Sequence, residues 1–182
     1  PGGNVILTPV TVPPGLTLNP DATTTVASAT TPAPSPLVDQ PSQISNPTVC
    51  DTATATITVS PTIDAVNDTA TITPGNPSAP VTGNDTINGA GPVIPGVNVN
   101  LTGVSVPPGL TLNPDGTISV ASGTTPGTYA VVYQICQISN PTVCSTATAT
   151  ITVAPTINAV SDTATITPGN PSAPITGNDT IN

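Results

Sequence analysis

Apolar and polar residues alternate with period two along most of the chain. In Ser145-Thr-Ala-Thr-Ala-Thr-Ile-Thr-Val153, Ala147, Ala149, Ile151 and Val153 share one face, and Thr146, Thr148, Thr150 and Thr152 share the other. The segment before it, Thr128 to Cys136, places Tyr129, Val131, Tyr133 and Ile135 on one face. Both apolar faces are expected to point into a core, with Tyr129 and Tyr133 as its aromatic residues. Ala65 to Thr73 and Val97 to Val106 read as further strands. Leu110 to Leu112 and Thr117 to Val120 flank the turn Asn113-Pro-Asp-Gly116 and predict a hairpin. No window carries a 3.6-residue period, and the Thr, Val, Ile and Pro content opposes helix.

The pattern repeats. Val12 to Pro20 recurs as Val106 to Pro114, Ser45 to Cys50 as Ser139 to Cys144, and Thr82 to Asn88 as Thr176 to Asn182. The offset is 94 in each case (106−12, 139−45, 176−82), and 67 of the 88 overlapping positions are identical. A unit this long is too large for a solenoid turn and suits one small β-sandwich strung in tandem. Boundaries near Pro61 and Pro155 divide the chain into 1–61, the later strands of one repeat; 62–155, a complete repeat; and 156–182, the opening strands of the next. Two periods would take 188 residues. After Asn182, six residues equivalent to Gly89–Ile94 would lead back to the sequence that begins at Pro1. This predicts a segment of a long periodic fibre, with Asn182 of one chain within about 20–25 Å of Pro1 of the next.

Composition narrows the chemistry. The chain has 182 residues, no Lys, Arg or His, nine Asp and a net charge of −9. Without cations there is nothing to neutralise nucleic-acid phosphates, no lysine for a Schiff base or an isopeptide bond, and no base with a pKa near neutrality. An enzyme is not expected. No apolar run approaches the roughly 20 residues of a membrane-spanning helix, so no membrane insertion is expected. The opening at Pro1 reads as the interior of a processed chain.

Pro107-Pro-Gly-Leu-Thr-Leu-Asn-Pro-Asp-Gly-Thr-Ile118, followed by Thr125-Pro-Gly-Thr-Tyr-Ala-Val-Val-Tyr133, resembles the Ig-like repeats of giant bacterial surface proteins. Asp64-Ala-Val-Asn-Asp-Thr-Ala70 with Val81-Thr-Gly-Asn-Asp-Thr86 resembles the opening of bacterial Ig-like, cadherin-like tandem repeats. Tyr133-Gln-Ile-Cys136 with Asn140-Pro-Thr-Val-Cys144 is similar to repeats of Bacteroidetes gliding-type adhesins and surface filaments. The resemblance implies an all-β fold of tandem Ig-like β-sandwiches in an extended array. It also implies an extracellular, cell-surface setting and a structural role in a filament or adhesin stalk. The rival reading is an adhesive module that itself binds glycan or a surface.

Several residues are candidates for particular chemistry. Cys136 and Cys144 fall on the same face of adjacent strands, joined by a short turn, and predict a disulfide. Cys50 matches Cys144, but Ser42 stands where Cys136 would be. That leaves Cys50 unpaired or bonded to another molecule. Pro34, Pro36 and Pro41 fall in the equivalent central strand and predict its distortion, and Asp39 takes the place of inward Tyr133. Asp68, Asp85, Asp162 and Asp179 are oxygen donors of the kind Ca2+ takes. They come with neither a DxDxDG loop nor a Glu, and read first as Asx-turn residues capping loops. No cofactor is expected, Ca2+ being the one ion with available ligands.

Asn67, Asn84, Asn100 and Asn178 fit the N-linked acceptor pattern. Thr52, Thr69, Thr86, Thr163 and Thr180 each follow Asp, and resemble O-glycan acceptors of exported Bacteroidetes proteins. The Thr ladders Thr52/54/56/58 and Thr146/148/150/152 read as ordinary solvent faces of strands rather than an ice-binding array. The partners expected are glycans and neighbouring copies of the same repeat, completing each other's partial domains head to tail, either along one continuous polypeptide or as separate subunits that exchange strands.

Overall fold

The computed structural model describes residues 5–181. The Asn182-to-Pro1 approach expected above lies outside the described residues. Fifteen strands and no helix make up the described chain. In order they are β1 (Val5–Thr11), β2 (Leu16–Leu18), β3 (Thr24–Val26), β4 (Pro34–Gln43), β5 (Ala53–Thr58), β6 (Ile63–Asp64), β7 (Asp68–Ile72) and β8 (Thr86–Ile87). There follow β9 (Val99–Ser105), β10 (Leu110–Leu112), β11 (Ile118–Val120), β12 (Gly127–Gln137), β13 (Cys144–Val153), β14 (Ile157–Asn158) and β15 (Thr180–Ile181). The fold is all-β and Ig-like, and divides into two compact units.

Unit 2 comprises Ala65–Asp85 and Val93–Asn182. Its main sheet has the order β7-β13-β12-β9. The β12–β13 hairpin runs unbroken from Gly127↔Val153 to Cys136↔Cys144. The alternation read from sequence fixes its inner face: Val131, Tyr133, Ile135, Ala147, Ala149, Ile151 and Val153 are all buried. Tyr129 is the exception, being only half-buried. It lies near the open end of the hairpin, and its hydroxyl reaches out to the carbonyl of Thr125 (2.7 Å) rather than into the core. The β10–β11 hairpin contributes buried Leu110, Ile118 and Val120. Its turn needs Gly116, whose φ of 88° suits glycine.

Residues 65–85 close unit 2. They begin as β7, which adds to β13 in parallel from Asp68↔Ala149 to Ile72↔Val153. The chain then crosses to β11, where Ser78 and Ile118 exchange hydrogen bonds of 2.9 Å and Val81 N donates to Gly116 O. Ile72 and Val81 are each 3% exposed. One segment thus caps the free edge of the sheet and ties it to the second layer.

Unit 1 comprises the chain up to Asp64 with Thr86–Pro92. Its sheet is β1-β4-β5, beside the β2–β3 hairpin and the β6–β8 pair. Strands β1–β5 are the equivalents of β9–β13, but among the described residues the buried hydrophobic residues of unit 1 are only Leu16 and Leu37. Thr24 replaces core residue Ile118. Ala22 and Ala29 sit at φ 67° and 63° where the second copy has Gly116 and Gly123, a conformation that strains an L-residue.

The prolines do not break β4 as expected. Asp51 N donates to Pro41 O, Gln43 N to Val49 O and Val59 N to Ala33 O. Odd-numbered residues therefore turn their backbone groups toward β5. Pro34 and Pro36 turn their nitrogens away from it, and β1 meets β4 only from Val38 onward. Neither proline removes a ladder bond. Pro41 does face β5, and there the ladder stops after Asp39↔Ala53 and resumes as the single bridge Ser42↔Cys50. The disturbance is confined to one position.

Candidate functional site

Unit 1 exposes what unit 2 covers. Residues 53–59 and 147–153 have the same sequence, Ala-Thr-Ala-Thr-Ile-Thr-Val. In β13 its apolar face is at most 5% exposed. In β5 Ala53 and Ala55 are exposed and Ile57 is half-exposed. Within the sheet order of unit 1, β5 is an edge, and among the described residues no strand takes the place of β7. An unpaired strand edge beside an open apolar face is a template for strand addition.

The covering segment also occurs twice. Residues 159–179 match 65–85 at every position except Ser161 for Asn67 and Ile175 for Val81. Residues 159–178 are exposed throughout, and Asp162 to Ile166 forms no strand. Ile166 is 60% exposed where Ile72 is 3%, and Ile175 is 67% exposed where Val81 is 3%. The segment nonetheless keeps its local shape. Val160 N donates to Asp179 Oδ1 at 2.8 Å, as Val66 N does to Asp85 Oδ1. Asn170 Nδ2 donates to Thr167 Oγ1 as Asn76 does to Thr73. The β14–β15 pair holds its ends as β6–β8 holds those of 65–85.

Under the covered edge of unit 2 lies a polar cluster. The Tyr133 hydroxyl sits 3.0 Å from Val81 O, 3.1 Å from Val66 O and Asp85 Oδ1, and 3.2 Å from Asp68 Oδ2. It anchors residues 65–85 at both ends. Burial, then the charges of Asp85 and Asp68, push the phenol pKa far above its usual value. The hydroxyl therefore remains a donor. Burial also raises the pKa of Asp68, against the hydrogen bond from Tyr133, and the Asp85 charge adds to the rise. Asp85 is 2% exposed. Asn67 Oδ1 adds a further lock by accepting from Thr148 N at 2.8 Å.

The remaining sequence candidates are dispersed. Cys136 and Cys144 are disulfide-bonded, and Cys50 is a free, exposed thiol opposite Ser42. Thr52, Thr69, Thr163 and Thr180 are exposed and Thr86 is half-buried, each on a separate segment. Among the described residues no group of three or more Asp or Cys is placed to hold a metal ion. Tyr129 lines an open depression of about 340 Å³ with Pro108, Ala121, Ser122 and Thr125. The equivalent of Tyr129 in the first copy is Ser35. The β5 edge and the segment that matches the cover of β13 are not legible from alternation alone. Period two identifies a strand but not the strand beside it.

No protein-family profile and no curated protein sequence matches this chain. Among solved structures it is similar to mouse cadherin-23 EC22-24, at 11% identity and a TM-score of 0.40, covering 82% of this chain and 52% of that one. Drosophila N-cadherin EC1-4 aligns at 9% identity and a TM-score of 0.38, over 83% of this chain and 41% of that one. Protocadherin gamma B7 domains 1-4 align at 14% identity and a TM-score of 0.38, over 94% and 46%. The chain thus spans about half the length of these structures. The fold is read from the strand order above, not from likenesses of this strength.

Proposed function

We propose that the chain is a structural repeat of an extracellular bacterial surface filament or adhesin stalk, built from copies joined head to tail. The observation that carries this reading is the coexistence of an uncovered β5 and a solvent-exposed 159–179 that matches, at all but two positions, the segment 65–85 covering β13. On this reading the domains are 1–61, 62–155 and 156–182, the outer two completed by neighbouring copies. The role is mechanical and non-enzymatic. The absence of Lys and Arg removes every trypsin site, and the 25 prolines stiffen the connections. The exposed acceptors Thr52, Thr69, Thr163 and Thr180, with Thr86, would carry any O-glycans. Electron microscopy and sedimentation of the purified chain test the reading. Filaments with a periodic repeat support it, and a monomer at every concentration rejects it.

The second reading, a glycan-binding module, is favoured by one observation, the Tyr129 depression. Its lining has no charged or amide side chain, and the hydroxyl of Tyr129 is already engaged by Thr125. Glycan-array binding that disappears with Tyr129→Ala would favour it.

A further inference from the structure

We propose that residues 159–179 of one copy dock on unit 1 of a second copy, with Asp162–Ile166 adding to the free edge of β5 as a parallel strand. The inference rests on the filament reading and specifies its joint. The register follows from unit 2, where Asp68 lies opposite Ala149, Thr69 opposite Thr150 and Ile72 opposite Val153. Subtracting or adding the 94-residue offset places Asp162 opposite Ala55, Thr163 opposite Thr56, Ala164 opposite Ile57, Thr165 opposite Thr58 and Ile166 opposite Val59.

Three features of the molecule favour this joint over general stickiness. The receptor strand is identical to β13 from 53 to 59, so backbone and apolar face present the same template. The donor is already shaped, its Asx loop and turn bonds being those of the docked segment 65–85. Ordering a preformed segment costs less than ordering a random one. Finally, two separate apolar side chains, Ile166 and Ile175, stand in water and have buried equivalents in Ile72 and Val81. Docking also supplies β3 with a second partner beside β2, since Ser172 takes the place of Ser78, which bonds to Ile118, the equivalent of Thr24.

The sheet of unit 1 has two edges, β1 and β5, and the proposal concerns β5 alone. Cysteine pairs distinguish them. In a Cys50→Ser background, Thr56→Cys with Thr163→Cys places thiols at directly opposed, outward positions. Thr8→Cys with Thr163→Cys tests the β1 edge. Mild oxidation of the first pair is expected to give a ladder of disulfide-linked multimers on a non-reducing gel, collapsing on reduction, and the second pair is expected to give none. Circular dichroism and an intact Cys136–Cys144 peptide confirm that each variant folds. Ile166→Asp and Ile175→Asp, without added cysteines, are each expected to weaken self-association at least about tenfold by sedimentation. Equal ladders from both pairs, linkage only within a chain, or no linkage in a protein that still associates would overturn the joint and leave the filament reading standing. A chain that never associates would overturn both.

Discussion

The Tyr133 hydroxyl has one proton and five acceptor atoms within reach, on Val66, Asp68, Val81 and Asp85. It joins both ends of 65–85 to the centre of the sheet. Tyr133→Phe keeps the ring and removes the donor. It is expected to destabilise unit 2 by about 1–3 kcal/mol, the usual cost of a buried polar group losing its partner, measured by urea unfolding. Acid should act through the same cluster. Asp68 has a raised pKa, so keeping it charged costs stability above that value, and the cost vanishes below the ordinary value of 3.8. Asp115 behaves oppositely: hydrogen bonds from Thr117 lower its pKa, so its contribution is present above 3.8 and is lost as pH falls through the lower value. Unit 2 is therefore expected to gain stability on acidification toward 3.8 and to lose it below. Asp68→Asn should abolish the gain; a gain that persists in that variant assigns it to another group.

Single strands show how far the sequence could be read. Period two placed β12 and β13 and their inner faces, because a strand buried on one side must alternate. It could not pair β7 with β13, since parallel pairing joins segments far apart in sequence. Nor could it separate Asp68–Ile72 from the identical 162–166, which differ only in whether a partner edge is present. Pro34 and Pro36 looked disruptive because composition does not reveal which way a strand's nitrogens point. Tyr129 shares a face with Tyr133, but burial also depends on distance from the strand end. The cysteines were legible because both fall on the outward face beside one short turn. Closing so short a loop contributes about 2.5 kcal/mol on the chain-entropy model. Reduction, or Cys136→Ser with Cys144→Ser, is expected to lower unit 2 stability by about that amount in denaturant. The first copy offers the converse experiment. Ser42 and Cys50 are bridge partners like Cys136 and Cys144. Ser42→Cys is expected to form the second disulfide and slow hydrogen exchange at the ends of β4 and β5. Two free thiols by mass spectrometry would show that Pro41 holds these positions apart.

At the scale of the assembled molecule, the joint differs from the interior of unit 2 at one central position. Docking brings Asp162 and Asp179, the equivalents of Asp68 and Asp85, over β4 of the receiving unit. There they meet Asp39 rather than the Tyr133 hydroxyl. Three carboxylates then share a site that elsewhere holds two carboxylates and their donor. The chain has no Lys, Arg or His to neutralise them. Like charges so placed repel, and the shorter Asp side chain also leaves unfilled the volume that the tyrosine ring occupies. The joint is therefore weaker than the internal contact it copies. Asp39→Tyr removes one carboxylate and restores both ring and donor. A hydrogen bond to a carboxylate contributes about 1.5–3 kcal/mol. The variant is accordingly expected to tighten self-association by at least about tenfold, read by sedimentation. Unchanged association would mean that Asp39 lies outside the contact, and would place the joint elsewhere than over β4 and β5.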